Sequence, residues 1–129
     1  MSLKHLGNKN ILIVEDDAFN MQLLRTLLTK ISDMHIIPSY DGADALHVLE
    51  SSKKKIDMVL LDIHLPIMNG MELLLHMRQN NAYKDIPVLV ISVDKSDKLE
   101  LLRIGANEFI HKPFNIHDLS SQISSHLTI

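Results

Sequence analysis

Short apolar runs alternate along the chain with stretches whose apolar residues recur every three or four positions. The runs are Ile11–Val14, Met34–Ile37, Met58–Leu61, Val88–Ile91 and the weaker Glu108–His111. The strongest three are apolar throughout, as expected of strands covered on both faces. Between and after them come Phe19, Leu23, Leu24, Leu27, Leu28 and Ile31, then Ala43, Leu46 and Leu49, then Met71, Leu74, Leu75 and Met77. Leu99, Leu102 and Ile104 follow, and Ile116, Leu119, Ile123 and Leu127 close the series. Each set reads as the apolar face of one amphipathic helix. Asp17, Asp41-Gly42 and Asn69-Gly70 stand where helices should start, and Gly105-Ala106-Asn107 where one should stop. Five strands alternating with five helices predict an α/β domain with right-handed crossovers and one parallel sheet. The predicted domain spans residues 9–127. Residues 1–8 form a lead outside it, and Met1-Ser2-Leu3 is of the kind added for expression.

Composition narrows the classes. A chain of 129 residues is one domain with a sizeable core. A formal net charge of -3 gives no electrostatic reason to expect nucleic acid or an anionic membrane as partner. Without cysteine there are no disulfides and no thiolate metal sites. The first residues contain no continuous apolar segment, no stretch nears a membrane span, and the chain reads as cytoplasmic. Lys53-Lys54-Lys55 reads as a solvated basic run at a helix end.

The polar residues that end the apolar runs carry the chemistry. Glu15 and Asp16 end the first, Asp62 the third and Ser92 the fourth, while Lys112 follows the fifth, just before Pro113. In open parallel sheets, ligands bind outside the carboxyl ends of the strands where strand order reverses. Three carboxylates gathered there raise one another's pKa unless a cation intervenes. Mg2+ suits an all-oxygen donor set. With the metal bound, Asp62 could attack phosphorus as a carboxylate nucleophile, while Lys112 and Ser92 offset the charge of the incoming group.

Ile11-Leu12-Ile13-Val14-Glu15-Asp16-Asp17, Val59-Leu60-Leu61-Asp62 with Pro66 and Asn69-Gly70, Val90-Ile91-Ser92, and Phe109-Ile110-His111-Lys112-Pro113-Phe114 together resemble the receiver domain of two-component response regulators. The resemblance implies a doubly wound flavodoxin-like (βα)5 domain with strand order 2-1-3-4-5. It implies that Asp62 accepts a phosphoryl group from a phosphohistidine of a histidine kinase or histidine phosphotransfer protein. Asp16 and Asp62 would hold Mg2+ directly, Glu15 directly or through water, and the His64 backbone carbonyl would be a further ligand. Lys112 would contact the phosphoryl group and Ser92 would close onto it. Phe109 would then swing inward and remodel the face made by the fourth helix, fifth strand and fifth helix, where a downstream protein docks. The Lys112–Pro113 peptide is expected to be cis. The implied protein is a signalling domain with self-phosphorylation and autodephosphorylation only, a monomer or weak phosphorylation-dependent dimer, with no direct contact to nucleic acid or membrane.

Val93 stands where small residues are commoner in such domains, and its bulk would narrow access to the site. His64 and Asp94, each two positions past a site residue, flank the expected water path; as ligands, His64 and His111 are less expected than as solvent-facing loop and edge residues. A phosphohydrolase of the haloacid-dehalogenase type would want a second Asp where His64 stands. Four isolated glycines exclude both a G-x-G-x-x-G turn and a P-loop. The five βα units leave no separate helix-turn-helix. Within the resemblance, the chain is either a stand-alone regulator or a receiver cut from a hybrid sensor kinase or larger regulator. Glu15-Asp16-Asp17 followed by Asn20 leans toward the hybrid kinases.

Overall fold

The computed structural model describes residues 2–51, 53 and 55–127. Strands β1 (Asn10–Val14), β2 (His35–Ser39), β3 (Met58–Asp62), β4 (Val88–Ser92) and β5 (Glu108–His111) form one parallel sheet in the order β2-β1-β3-β4-β5. Helices α1 (Ala18–Ile31), α2 (Gly42–Ser51), α3 (Gly70–Gln79), α4 (Lys98–Ile104) and α5 (Ile116–Leu127) follow the strands in turn, with 3-10 turns at Lys4–Leu6 and Lys95–Asp97. Among the described residues, no helix is long and apolar enough to cross a membrane.

Alternate strand residues serve opposite faces. Leu12, Val14, Val59, Leu61, Val88 and Val90 build one core with residues of α2, α3 and α4. Ile11, Ile13, Met58, Leu60, Leu89 and Ile91 build the other with residues of α1 and α5. Each central strand therefore needs apolar side chains on both sides, which explains their unbroken runs. Leu3, within the lead, is buried in the second core and donates its backbone N–H to the Ile31 carbonyl at 2.7 Å.

The second strand lies further along than the sequence pattern suggested, reaching Ser39 rather than ending at Ile37. Pro38 conceals it, because proline cannot donate to a ladder. Here β2 is an edge strand, His35 and Ser39 make the inward bonds to Lys9 and Glu15, and the Pro38 nitrogen, of opposite parity, faces the open edge.

The helical stripes need correction too. In α1, Phe19 and Leu23 are exposed while Met21 is buried with Leu24 and Leu28. Ala45 rather than Ala43 is buried in α2, and Leu73 is buried in α3 while Leu75 is exposed. In α4 the core residue is Leu101, with Leu99 81% exposed. The first four helices cover the sheet with narrower faces than their apolar content would allow, so apolar residues are left over. Truncating Leu101 to alanine should cost about 3 kcal/mol, whereas Leu99→Ala should stay within roughly 0.5 kcal/mol, in urea unfolding at equilibrium. The basic run lies past the end of α2 at Ser51, with Lys54 outside the described residues.

Candidate functional site

The carboxyl ends of β1, β3 and β5 converge beside the point where the strand order reverses between β1 and β3. Glu15 follows β1, held by its backbone N–H to the Ser39 carbonyl at 3.0 Å, and its side chain is 2% exposed. One Glu15 carboxylate oxygen accepts from the Asp17 N–H at 3.1 Å and the other from Lys112 Nζ at 3.1 Å. Asp62, the last residue of β3, is also buried. Its Oδ1 accepts from the His64 backbone N–H at 3.0 Å, and its Oδ2 lies 3.5 Å from Lys112 Nζ. Asp16 stands exposed at the rim, yet Glu15, Asp16 and Asp62 each bring a carboxylate oxygen within 4.8 Å of the others. Lys112 is fixed from below by its backbone N–H to the Ser92 carbonyl at 2.9 Å, and the Lys112–Pro113 peptide is cis.

Three carboxylates facing one ammonium leave two uncompensated negative charges when all are ionised, which is the charge of one divalent cation. The trio could hold such an ion, and its hard oxygen donors suit Mg2+ geometry. Burial, helped by a hydrogen bond and the charge of Glu15, raises the Asp16 pKa. A raised carboxylate favours the protonated folded state, so without metal this group's contribution is complete below its unfolded value and fades as pH rises through the folded one. Burial draws the Lys112 pKa down, but the charges of Asp62 and Glu15 outweigh it and the net shift is upward. Lys112 is therefore an ammonium at neutral pH, and its stabilisation is lost only as pH climbs through that raised value.

The loop after β3 wraps tightly under Asp62. A Cβ on Gly70 would stand 2.7 Å from the Asp62 carbonyl oxygen and 2.8 Å from the Ile63 Cα, so only glycine lets α3 start there. Asn69 caps that helix, its Oδ1 accepting from the Glu72 N–H at 2.9 Å. In the same loop Ile67 has φ 69° and is 84% exposed, a β-branched residue in the left-handed region with little packing to compensate. Ile67→Gly should therefore stabilise the fold by about 1 kcal/mol, read as a rise in melting temperature.

Ser92 is buried at the end of β4, its Oγ accepting from the Asp94 N–H at 3.1 Å; none of the hydroxyl's hydrogen bonds reaches Asp62 or Lys112. Phe109 is half-buried on β5, packed on the core face that α4 covers. Val93 is 64% exposed, and the His111 ring lies 2.9 Å from its carbonyl oxygen. Beside Glu15 and Lys112 opens an apolar cleft of about 380 Å3, walled by Leu23, Leu24, Leu27, Val93, Pro113 and Phe114. The structure thus brings Glu15, Asp16, Asp62 and Lys112 together and leaves Ser92 and Phe109 nearby but turned to other partners. Sequence reasoning did not find Asp97, whose carboxylate lies with the His64 imidazole and the Asp94 carboxylate in a second group; nothing in its spacing marks it.

The family model for the response regulator receiver domain matches residues 11–124. Response regulator GtcR of Aneurinibacillus migulanus is 34% identical over 122 residues, covering 93% of this chain and 48% of its own. Hybrid signal transduction histidine kinase I of Dictyostelium discoideum is 33% identical over 114 residues, covering 83% of this chain and 6% of its own. The chain spans about half the length of the curated regulators it resembles. Among solved structures, the receiver domain of sensor histidine kinase PA1611 from Pseudomonas aeruginosa has magnesium in its active-site cleft. It superposes with a TM-score of 0.86 at 22% identity, over 95% of this chain and all of that one. A match that runs from the first strand into the last helix, on a sheet wound in the observed order, shows that this chain belongs to the response regulator receiver domain family.

Proposed function

We propose that this domain is the phosphoryl acceptor of a two-component relay, with Asp62 as the residue that is phosphorylated. A carboxylate oxygen of Asp62 attacks the phosphorus of a phosphohistidine on a histidine kinase or histidine phosphotransfer protein. The P–N bond breaks, the imidazole leaves with the electron pair and takes up a proton, and an acyl phosphate forms on Asp62. The observation that carries this reading is the convergence of Asp62 with the Lys112 ammonium and two further carboxylates in one crevice. Asp16 and Asp62, with Glu15 directly or through water and the His64 backbone carbonyl, would hold Mg2+, which when bound offsets the charge on carboxylates and phosphoryl alike. The magnesium in the PA1611 receiver supports that choice of ion.

Lys112 draws the incoming phosphoryl group toward Asp62, and Ser92 closes onto it once its bond to the Asp94 N–H is released. Phe109 swings inward with that movement and alters the α4-β5-α5 face, which carries the signal to a protein target. Exposed Phe19 and Leu23, beside the apolar cleft, offer the donor protein a surface to dock on. The domain works in the cytoplasm as a monomer or weak phosphorylation-dependent dimer, contacts neither nucleic acid nor membrane, and performs no chemistry beyond its own phosphorylation and hydrolysis. The test is incubation with acetyl phosphate and Mg2+. A hydroxylamine-labile phosphoprotein is expected, and its absence with every donor and metal tried would overturn the reading.

A second context rests on the kinase relatives: the same acceptor chemistry would serve inside a hybrid sensor kinase or larger regulator. The length of the native gene decides between them.

A further inference from the structure

We propose a second metal site, for a borderline transition cation such as Zn2+ or Co2+, formed by the side chains of His64, Asp94 and Asp97. These come from two loops, one after β3 and one after β4, and each presents a ligand atom within 4.8 Å of the others. They are not simply an ion-paired cluster. No nitrogen of His64 lies within 4.0 Å of either carboxylate, so the imidazole faces both acids across a gap that direct pairing does not fill. Three ligands at about 2.1 Å from a common tetrahedral ion would stand roughly 3.4 Å apart, a closure within reach of exposed side chains.

Each member is free for the task. Asp94 uses Oδ1 for the Ser96 N–H at 2.8 Å, which holds the carboxylate in place and leaves Oδ2. Asp97 stands at the N-cap of α4 without making the side-chain bond such residues usually make. His64 is exposed, and its backbone rather than its ring serves Asp62. One imidazole with two carboxylates suits Zn2+, Co2+ or Ni2+, whereas the oxygen-only trio of Glu15, Asp16 and Asp62 suits Mg2+. The two sites therefore select different ions.

An ion held there ties the loop after Asp62 to the loop that follows Ser92. In the proposed relay, where Ser92 must move, the tie would slow that movement. This consequence rests on the phosphoryl-acceptor reading; the site itself does not, so binding is tested without any phosphoryl donor. Co2+ is titrated, following its visible absorption, into protein carrying Asp16→Asn and Asp62→Asn, which disables the oxygen trio. One equivalent of Co2+ should bind, and adding His64→Ala or Asp97→Asn should weaken it at least tenfold. Unchanged affinity in both variants, or loss of all Co2+ binding once the trio is disabled, would overturn the site. All three residues are wholly or partly exposed, so the variants should keep the parent's melting temperature. In the otherwise unaltered chain, Asp97→Asn should leave Mg2+-dependent labelling by acetyl phosphate as it was.

Discussion

Asp62→Asn should reduce labelling by acetyl phosphate or a phosphohistidine donor to background while leaving the protein folded. The exchange preserves shape but replaces a carboxylate nucleophile with an amide that cannot form a stable acyl phosphate. Folding should survive because the carboxylate is one of three crowded into a crevice with a single ammonium. The lost attraction to Lys112 is offset by relief of repulsion from Glu15 and Asp16. The melting temperature without metal should therefore shift little, while its rise on adding Mg2+ should shrink if Asp62 is one of the ligands, as proposed. Both readouts come from one thermal melt series with and without Mg2+, run beside the labelling assay. Labelling of Asp62→Asn at the normal rate would move the acceptor elsewhere.

Much of this site is visible in the sequence because the fold ties polar residues to strand ends. A parallel sheet buries its strands on both faces, so each strand is an apolar run, and the first polar residue after it falls at the rim. Glu15, Asp62 and Ser92 can be placed by that rule without coordinates, whereas Lys112 comes one residue after the first polar residue, His111, and is marked instead by its place before Pro113. What the sequence hides is which face of a helix turns inward. In α4 apolar residues stand at 99, 101, 102 and 104, and it is the docking of the helix on the sheet, which no periodicity states, that turns Leu101 into the core and leaves Leu99 exposed. Met21 and Leu73 are hidden for the same reason, while in α5 the apolar positions form a single stripe that marks the inward face directly. Hydroxyl direction is equally hidden. The place of Ser92 follows from its strand, but its bond to the Asp94 N–H depends on a loop whose course no periodicity encodes.

Lys112→Ala should separate stability from metal binding and from signal output. The lysine side chain is 21% exposed and lies against Glu15 and Asp62, whose side chains are 2% and 11% exposed. Removing the ammonium leaves two buried carboxylates facing each other, a change that costs about 3 kcal/mol where one partner of a buried pair is lost. For a domain of this size that is on the order of 10 °C in melting temperature without metal. Mg2+ should then restore more stability to the variant than to the parent, because the cation no longer shares the carboxylates with an ammonium. Lys112→Met keeps most of the aliphatic stem and should behave alike, which distinguishes lost charge from lost packing. In both variants Mg2+ should still bind, yet the phosphorylated form should fail to produce the partner response, because no ammonium links the phosphoryl group to β5, the strand that carries Phe109. A normal partner response from either would remove Lys112 from the transmission path, even if the stability loss appeared in full.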